Sequence, residues 1–249
     1  MTAADSSPPA LAVVVPFFNE EAVARALIDE LGGELDALGL AWEAVLVNDG
    51  STDGTGTVLA QAGARWTHSR VLNLAANGGQ GPALRHGISQ TRAPIIAIMD
   101  GDGQNVPADL GMLLAALASA DLVVGVRTPR SDSWLRRRMS RVANAVRRWI
   151  LRDGVTDAAC ALKVFRRELT ATFPDAPAYM FHPYLPALAL AAGYRVAERP
   201  VRHRPRGSGR SKYGLRVMLC RPLIDTLALA WRLRRRRAEA HRGSARFRT

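Results

Sequence analysis

Pro94-Ile95-Ile96-Ala97-Ile98-Met99-Asp100-Gly101-Asp102 is the stretch on which the reading of this chain turns. The apolar run reads as a buried strand, and two carboxylates follow at its carboxyl end. With Gly101 between them to let the backbone turn, Asp100 and Asp102 can lean toward one point. Hard oxygen ligands so placed suit Mg2+ or Mn2+, which bind through a few carboxylates plus substrate phosphates. A lone Asp-x-Asp is more often a solvated turn, so the weight falls on what the rest of the amino-terminal half contains.

Two more strands there end in polar clusters. Leu11 to Val15 is closed by Pro16 and followed by Asn19-Glu20-Glu21, and Ala44 to Val47 runs into Asn48-Asp49-Gly50-Ser51-Thr52-Asp53. Val23, Leu27, Leu31 and Leu35 recur at helical spacing and predict a helix from Glu20 to Leu38, with a second helix over Gly54 to Ala62. Strands alternating with helices describe an α/β sheet, in which ligands collect beyond the carboxyl ends of the strands. Ordinary helix-capping loops explain any one of these exits, but not acidic groups at all three. Val71 to Leu74 reads as another strand, leading into the loop Asn77-Gly78-Gly79-Gln80-Gly81-Pro82 and a helix over Ala83 to Ser89. Such a loop can cradle a phosphate, yet it lacks the Lys-Ser/Thr ending of a P-loop and the spacing of a dinucleotide fingerprint.

A chain of 249 residues with 48% hydrophobic content can bury a full core, as one domain with or without a small extension. Residues 1–9 are polar, without the basic and apolar regions of a signal peptide, and read as a disordered tail. Cys160 and Cys220 lie in apolar surroundings and read as buried thiols, and neither they nor the five histidines give a zinc spacing; a cytoplasmic location is expected. The net charge of +12 hides an asymmetry. Residues 1–126 carry five arginines against fourteen acidic residues, whereas residues 127–249 carry 29 basic against eight acidic residues. An acidic, ligand-bearing half is thus joined to one that attracts polyanions.

Further along, Pro107 to Ala118 reads as a helix, Asp121 to Arg127 as a strand, and Ser133 to Leu151 as a basic helix. A short strand is centred on Leu162 to Phe165, a helix on Pro183 to Ala192 and a strand on Tyr194 to Ala197. Arg199 to Tyr213, rich in Arg, Gly, Pro and Ser, reads as a mobile loop. In the last segment Val217, Cys220, Ile224, Leu227 and Trp231 trace one apolar face, with Pro222 splitting the helix. Arg221, Asp225 and Arg232 interrupt it, so it falls short of the roughly 18 uncharged residues that a membrane span needs. An amphipathic helix followed by Arg234 to Arg237 fits an anchor on an anionic membrane surface, and equally a helix docked on the domain with a solvated basic tail.

Taken together, these residues resemble the family 2 glycosyltransferases of the GT-A fold. More narrowly they resemble the enzymes that load a sugar onto a polyprenyl phosphate, the dolichyl-phosphate mannose synthase and undecaprenyl-phosphate glucosyl and aminoarabinose-transferase types. The resemblance runs from Leu11 to Tyr213. It is carried by Val15 to Glu21, Val47 to Gly54, Asn77 to Ala83, Met99 to Pro107, Val126-Arg127, Asp132 to Arg136 with Ser140 and Asn144, Asp157 to Arg167, and Arg206 to Tyr213. Gly101 and Gly103 stand where the family usually has small or apolar residues, which predicts a looser metal turn. A carboxyl-terminal pair of transmembrane spans, present in many bacterial relatives, is not expected within these residues.

The resemblance implies a GT-A catalytic domain over residues 10–213; the residues beyond it read as amphipathic membrane-interface or docking helices over 214–237 and a basic tail over 238–249. It also implies an inverting transfer from a nucleotide-diphosphate sugar donor to a polyprenyl phosphate acceptor, on the inner face of the cell membrane. Asp102, with Asp100 nearby, would hold the metal, and Gln104 would contact its shell or a phosphate. Pro16, Asn19, Glu20, Asp49 and Asn77 would line the donor, with Glu20 and Asp49 as hydrogen-bond acceptors for base and ribose. Arg127, Arg136, Arg206 and Lys212 would supply positive charge to phosphates. Asp157 either orients the acceptor or holds an arginine. Whether the chain forms a homo-oligomer is left open. Three rivals remain at this level. A nucleic-acid-binding module has no use for carboxylates that repel the backbone, a nucleotidyltransferase normally carries a basic glycine-rich loop after its first strand, and a third reading keeps the fold but takes a soluble or glycan acceptor.

Overall fold

The computed structural model describes residues 8–128, 144–173, 182–205 and 225–235. A seven-stranded sheet runs in the order β3-β2-β1-β4-β6-β5-β7. Its strands are β1 (Leu11–Phe17), β2 (Trp42–Asn48), β3 (Ser69–Asn73), β4 (Ile95–Ile98), β5 (Leu122–Arg127), β6 (Lys163–Arg166) and β7 (Val196–Val201). The helices are α1 (Glu21–Ala37), α2 (Thr55–Arg65), α3 (Gln80–Ser89), α4 (Leu110–Ala116), α5 (144–151), α6 (Leu185–Ala191) and α7 (225–235).

Alternation along each strand divides the core in two, because successive side chains point to opposite faces. Leu11, Val13, Val15 and Phe17 of β1 pack with Leu27, Leu31 and Leu35 of α1. Val14 faces the other way, with Leu84 and Ile88 of α3 and Leu185 of α6. Both faces are covered, which is why the central strands read as continuous apolar runs.

Every strand but β6 runs in the same direction: β6 is antiparallel to both β4 and β5. The carboxyl ends of six strands therefore gather at one edge, and the chain entering β6 arrives at that same edge. Lys163, the first residue of β6, lies opposite Ile98 on one side and Val124 on the other. The strand order reverses between β1 and β4, the place where open α/β sheets form their binding crevice.

Several boundaries differ from the sequence reading. β1 continues through Pro16, which pairs with β2 beyond the point where β4 ends, so its missing N–H removes no bond on the β4 side. Helix α3 starts at Gln80, with Pro82 in its first turn, where an N–H has no intrahelical partner in any case. The supposed loop from Arg199 begins instead as strand: Arg199, Pro200 and Val201 pair with Gly125, Val126 and Arg127. A proline is tolerated because β7 is an edge strand. In α7 the buried positions are Thr226, Leu229 and Ala230, whereas Leu227 and Trp231 are exposed, so the face traced from sequence is the outward one. Val217, Cys220 and Ile224 lie outside the described residues.

Candidate active site

Three strand exits are tied into one surface by short-range polar contacts. The Asn19 backbone has a positive φ of 53°, a conformation that asparagine tolerates, and its side-chain Oδ1 accepts the Thr52 N–H at 2.8 Å. The Glu20 N–H donates to Thr55 Oγ1 at 2.9 Å, and the Asp49 N–H donates to the Phe17 carbonyl at 2.8 Å. The β1 exit is in this way stapled to the β2 exit, with Pro16 at its root.

Asp49 is 3% exposed and organises the glycine-rich loop. Its Oδ1 accepts the Gly78 N–H at 2.9 Å, and its Oδ2 accepts the Gly79 N–H at 2.9 Å and Asn77 Nδ2 at 3.1 Å. Burial pushes this carboxyl up, and the two backbone donors pull it back. The loop amides read from sequence as a phosphate cradle are therefore turned onto Asp49. Of the roughly four lone-pair sites of a carboxylate, these three contacts occupy three.

The Asp-Gly-Asp turn lies against this surface. Asp100 Oδ1 accepts a hydrogen bond from Gln80 Nε2 at the start of α3, and its backbone N–H donates to Asn105 Oδ1 at 3.2 Å. Asp102, 8% exposed, accepts the Gln104 N–H at 3.1 Å. The expectation that glycines loosen this turn is corrected. A β-carbon on Gly101 would stand 2.6 Å from the Pro16 carbonyl oxygen and 2.6 Å from the Phe17 ring, so Gly101 permits a tight approach to β1. The left-handed backbone belongs to Gly103, with φ of 75°.

The donor chemistry fits a hard divalent ion. Among the described residues no group of three or more His, Cys, Asp or Glu side chains forms a metal cage. Mg2+ in phosphate-handling sites needs one or two carboxylates, with water and substrate phosphates completing the shell, and Asp100 and Asp102 supply that number. Gln104, expected near the metal, donates its side-chain amide to the Arg204 carbonyl at 3.2 Å. The Arg204 N–H returns a bond to the Gln104 carbonyl at 2.9 Å, and Asn105 forms a bridge with His203. Arg202 is held by Asp109, and Arg204 pairs through its two terminal guanidinium nitrogens with Glu30 at 2.7 and 2.8 Å. These contacts fix the chain beside the Asp-Gly-Asp turn up to residue 205. Arg206 and Lys212 follow directly and, like Arg136, lie outside the described residues.

At the β5 exit Arg127 is gripped by Asp157: Nε and Nη2 each donate to its carboxylate at 2.8 Å, and the backbone N–H adds a third bond at 3.2 Å. Of the two roles left open for Asp157, the geometry therefore shows an arginine holder. Beneath lies a residue to which the sequence reading gave no role. Lys163 is completely buried, and its Nζ bonds to the Ala158 carbonyl at 3.1 Å and to the Cys160 carbonyl, and approaches His182 Nδ1 at 3.4 Å. Burial pushes this amine down to about 8, against the pull of Cys160, Asp157 and Asp100. Burial and the neighbouring Lys163 and Arg127 hold His182 well below the usual histidine range. Cys160 is a buried free thiol, pushed up to about 11 by burial. Gln80 and Asn105 were likewise missed, although both sit inside quoted motifs; their signal was a polar side chain at a fixed offset from Asp100.

Known proteins place this arrangement. The profile described as Glycosyl transferase family 2 matches residues 12–173. The chain is 32% identical over 217 residues to an undecaprenyl-phosphate 4-deoxy-4-formamido-L-arabinose transferase of Edwardsiella ictaluri, covering 84% of this chain and 64% of that protein. It is 33% identical over 238 residues to a dodecaprenyl-phosphate galacturonate synthase of Rhizobium johnstonii, covering 93% of this chain and 69% of that one. The chain thus spans about two thirds of the length of these relatives. Among solved structures, glucosyl-3-phosphoglycerate synthase from Mycobacterium tuberculosis, in complex with Mn2+, UDP and glucosyl-3-phosphoglycerate, superposes with a TM-score of 0.68 at 20% identity. That likeness covers 89% of this chain and 80% of that one, and it shows a shared GT-A fold. A profile match over most of the chain, with relatives at this identity, places the chain in glycosyl transferase family 2.

Proposed function

We propose that this protein transfers a sugar from a nucleotide-diphosphate sugar to a polyprenyl phosphate, with inversion at the anomeric carbon. The observation that carries the reading is the meeting, at one sheet edge, of the Asp100–Asp102 turn with the backbone that delivers the Arg206–Tyr213 segment. Similarity to polyprenyl-phosphate sugar transferases supports the choice of acceptor.

In this reading the acceptor phosphate oxygen attacks the anomeric carbon, the bond from that carbon to the diphosphate breaks, and the nucleoside diphosphate leaves. A phosphate monoester has a second pKa of about 6, so the acceptor is largely dianionic at neutral pH and needs no strong base. Asp100 and Asp102 would hold Mg2+ or Mn2+, which as a Lewis acid supplies charge neutralisation to the leaving diphosphate. Arg127, fixed by Asp157, presents a cation at the edge of the site. Arg206 and Lys212 add charge from the adjoining segment, and Arg136 from the basic stretch after β5. Pro16, Asn19, Glu20, Asp49 and Asn77 form the donor side, where the remaining acceptor capacity of Asp49 suits a base N–H. In this reading a lipid-borne acceptor would have the enzyme work peripherally on the inner face of the cell membrane.

The test is a panel of nucleotide sugars, headed by aminosugar and uronic acid donors, assayed against undecaprenyl phosphate with Mg2+ or Mn2+. Asp102→Asn keeps an oxygen for the Gln104 N–H but removes the charge. It is expected to lower turnover by about 100-fold or more with the fold retained, and Asp100→Asn to be severe with residual activity. Equal rates and metal dependence in wild type and the Asp102 variant would sink the assignment. Pyrophosphate release from a nucleoside triphosphate would favour a nucleotidyltransferase, and transfer to soluble glycans alone would move the acceptor.

A further inference from the structure

Away from the metal turn, α5, α6 and α7 share a small apolar cluster containing Leu151, Leu188, Leu229 and Ala230. With α5 and α7 fixed by that packing, their opposite faces are left in solvent, and those faces are apolar. Val146 and Trp149, three residues apart on α5, are 40% and 80% exposed; Leu227 and Trp231, four apart on α7, are 53% and 62% exposed. Residues at these spacings share one side of a helix. Trp149, Leu227 and Trp231 border a cleft of about 230 Å³ with Ala230 in its floor and Arg152 and Arg234 at its rim.

Among the described residues the charge around the patch is mainly positive. Arg148, Arg152, Arg232, Arg234 and Arg235 lie on or just after these helices, and the Arg235 guanidinium stacks over the Trp231 ring at 5.5 Å. The nearby acids are Asp153, buried against Arg147, and Asp225 at the start of α7. Tryptophan has an apolar body with a polar edge and sits at the level of lipid headgroups, and arginines close to an anionic surface add attraction. A second copy of the chain docking through the same patch would bring two sets of arginines together, which opposes that occupant.

We propose that the α5–α7 surface is a membrane-docking face, with Trp149 and Trp231 inserting into the headgroup region of an anionic bilayer and the flanking arginines on its phosphates. This deepens the reading of a membrane-borne acceptor and rests on it for the presence of a bilayer. The face takes in Leu227 and Trp231 of the α7 face expected from sequence and extends it to a tryptophan of α5.

Sedimentation of the full chain with phosphatidylcholine vesicles, with and without phosphatidylglycerol, reads this directly and needs neither donor nor acceptor. The double variant Trp149→Ala/Trp231→Ala is expected to bind phosphatidylglycerol-containing vesicles roughly tenfold more weakly or worse, with an unchanged melting temperature. Arg152→Gln and Arg234→Gln are each expected to cost about fivefold, less at high salt. Brominated lipid should quench variants retaining Trp149 or Trp231 as the single tryptophan. Transfer to vesicle-embedded acceptor should fall in the double variant while transfer to a short, water-soluble acceptor stays level. Vesicle binding unaffected by the double substitution overturns the proposal, as does equal binding to neutral vesicles. A dimer of the wild type that the double variant dissolves, with vesicle binding intact, assigns the face to self-association instead. Absence of any sugar transfer, with docking as expected, counts against the proposed function and leaves the docking face standing.

Discussion

At Gly101 the nearest atoms to a hypothetical β-carbon include a backbone oxygen, which cannot swing aside as a flexible side chain could. Gly101→Ala is therefore expected to push the Asp-Gly-Asp turn off β1, destabilising the fold by about 1–3 kcal/mol and weakening metal binding. Chemical denaturation together with a metal titration checks both effects. Lys163 gives a pH signature. Its amine titrates at about 8 in the fold against the ordinary 10.5, so between those values the unfolded chain holds a proton that the folded one has released. Stability rises with pH wherever the unfolded state binds more protons, by up to about 1.4 kcal/mol per unit. Cys160 acts in the opposite sense, because its thiol is pushed from 9.0 up to about 11 and its contribution is lost as pH rises through that range. The interval from pH 8 to 9 thus isolates the lysine. Wild type should gain stability there in urea titrations and Lys163→Met should not, and a flat wild-type profile would argue against a buried amine released at that pH.

Among the elements, β6 does most to compose the site. Because it runs against its neighbours, the segment Asp157 to Leu162 reaches the same edge as the β4 and β5 exits, carrying the carboxylate that holds Arg127 and the lysine beneath it. β7 plays the complementary part by continuing to Val201 and then clamping onto Asp109, Glu30 and Gln104. The Arg206–Tyr213 segment is delivered from that fixed end. Arg206→Ala and Lys212→Ala are each expected to weaken the handling of acceptor and leaving diphosphate by about 1.5–3 kcal/mol, the range for a charge-assisted hydrogen bond. Steady-state kinetics with varied acceptor reads the loss. Unchanged turnover and acceptor affinity in both variants would leave the segment a solvated basic connection.

For the whole molecule, the proposed function would turn the charge asymmetry of the sequence into a division of labour: an acidic half for the donor and metal side, and a basic half for the acceptor side, which also carries the arginines of α5 and α7. Among the described residues no helix is long and apolar enough to cross a membrane. Helix α7 is also part of the protein's core, since Leu229 and Ala230 close the cluster with Leu151 and Leu188. Leu229→Ala should lower stability by about 2 kcal/mol in denaturant titrations, and deleting residues 223–249 should lower it further. A truncation therefore mixes loss of membrane contact with loss of packing, whereas substitutions at the exposed tryptophans separate them. Unchanged stability in Leu229→Ala would mean that α7 is not seated as described.

The amino-acid order by itself determined the alternation of strands and helices, the acidic exits of β1, β2 and β4, and the likeness to sugar transferases. Those features are local: an apolar run, a helical period and a turn-forming cluster are each complete within about ten residues. What only the tertiary structure decided depends on partners far away in the chain. The reversal of β6 arises from pairing with strands some forty and seventy residues earlier, and no period within Lys163 to Arg166 encodes it. The commitment of Asp49 to the glycine-rich loop and the fit of Gly101 against Pro16 depend on contacts between separate exits. The choice of the Leu229 side of α7 for burial is of the same kind. Both sides of that helix carry apolar residues at helical spacing, and the surface offered by α5 and α6 selects between them.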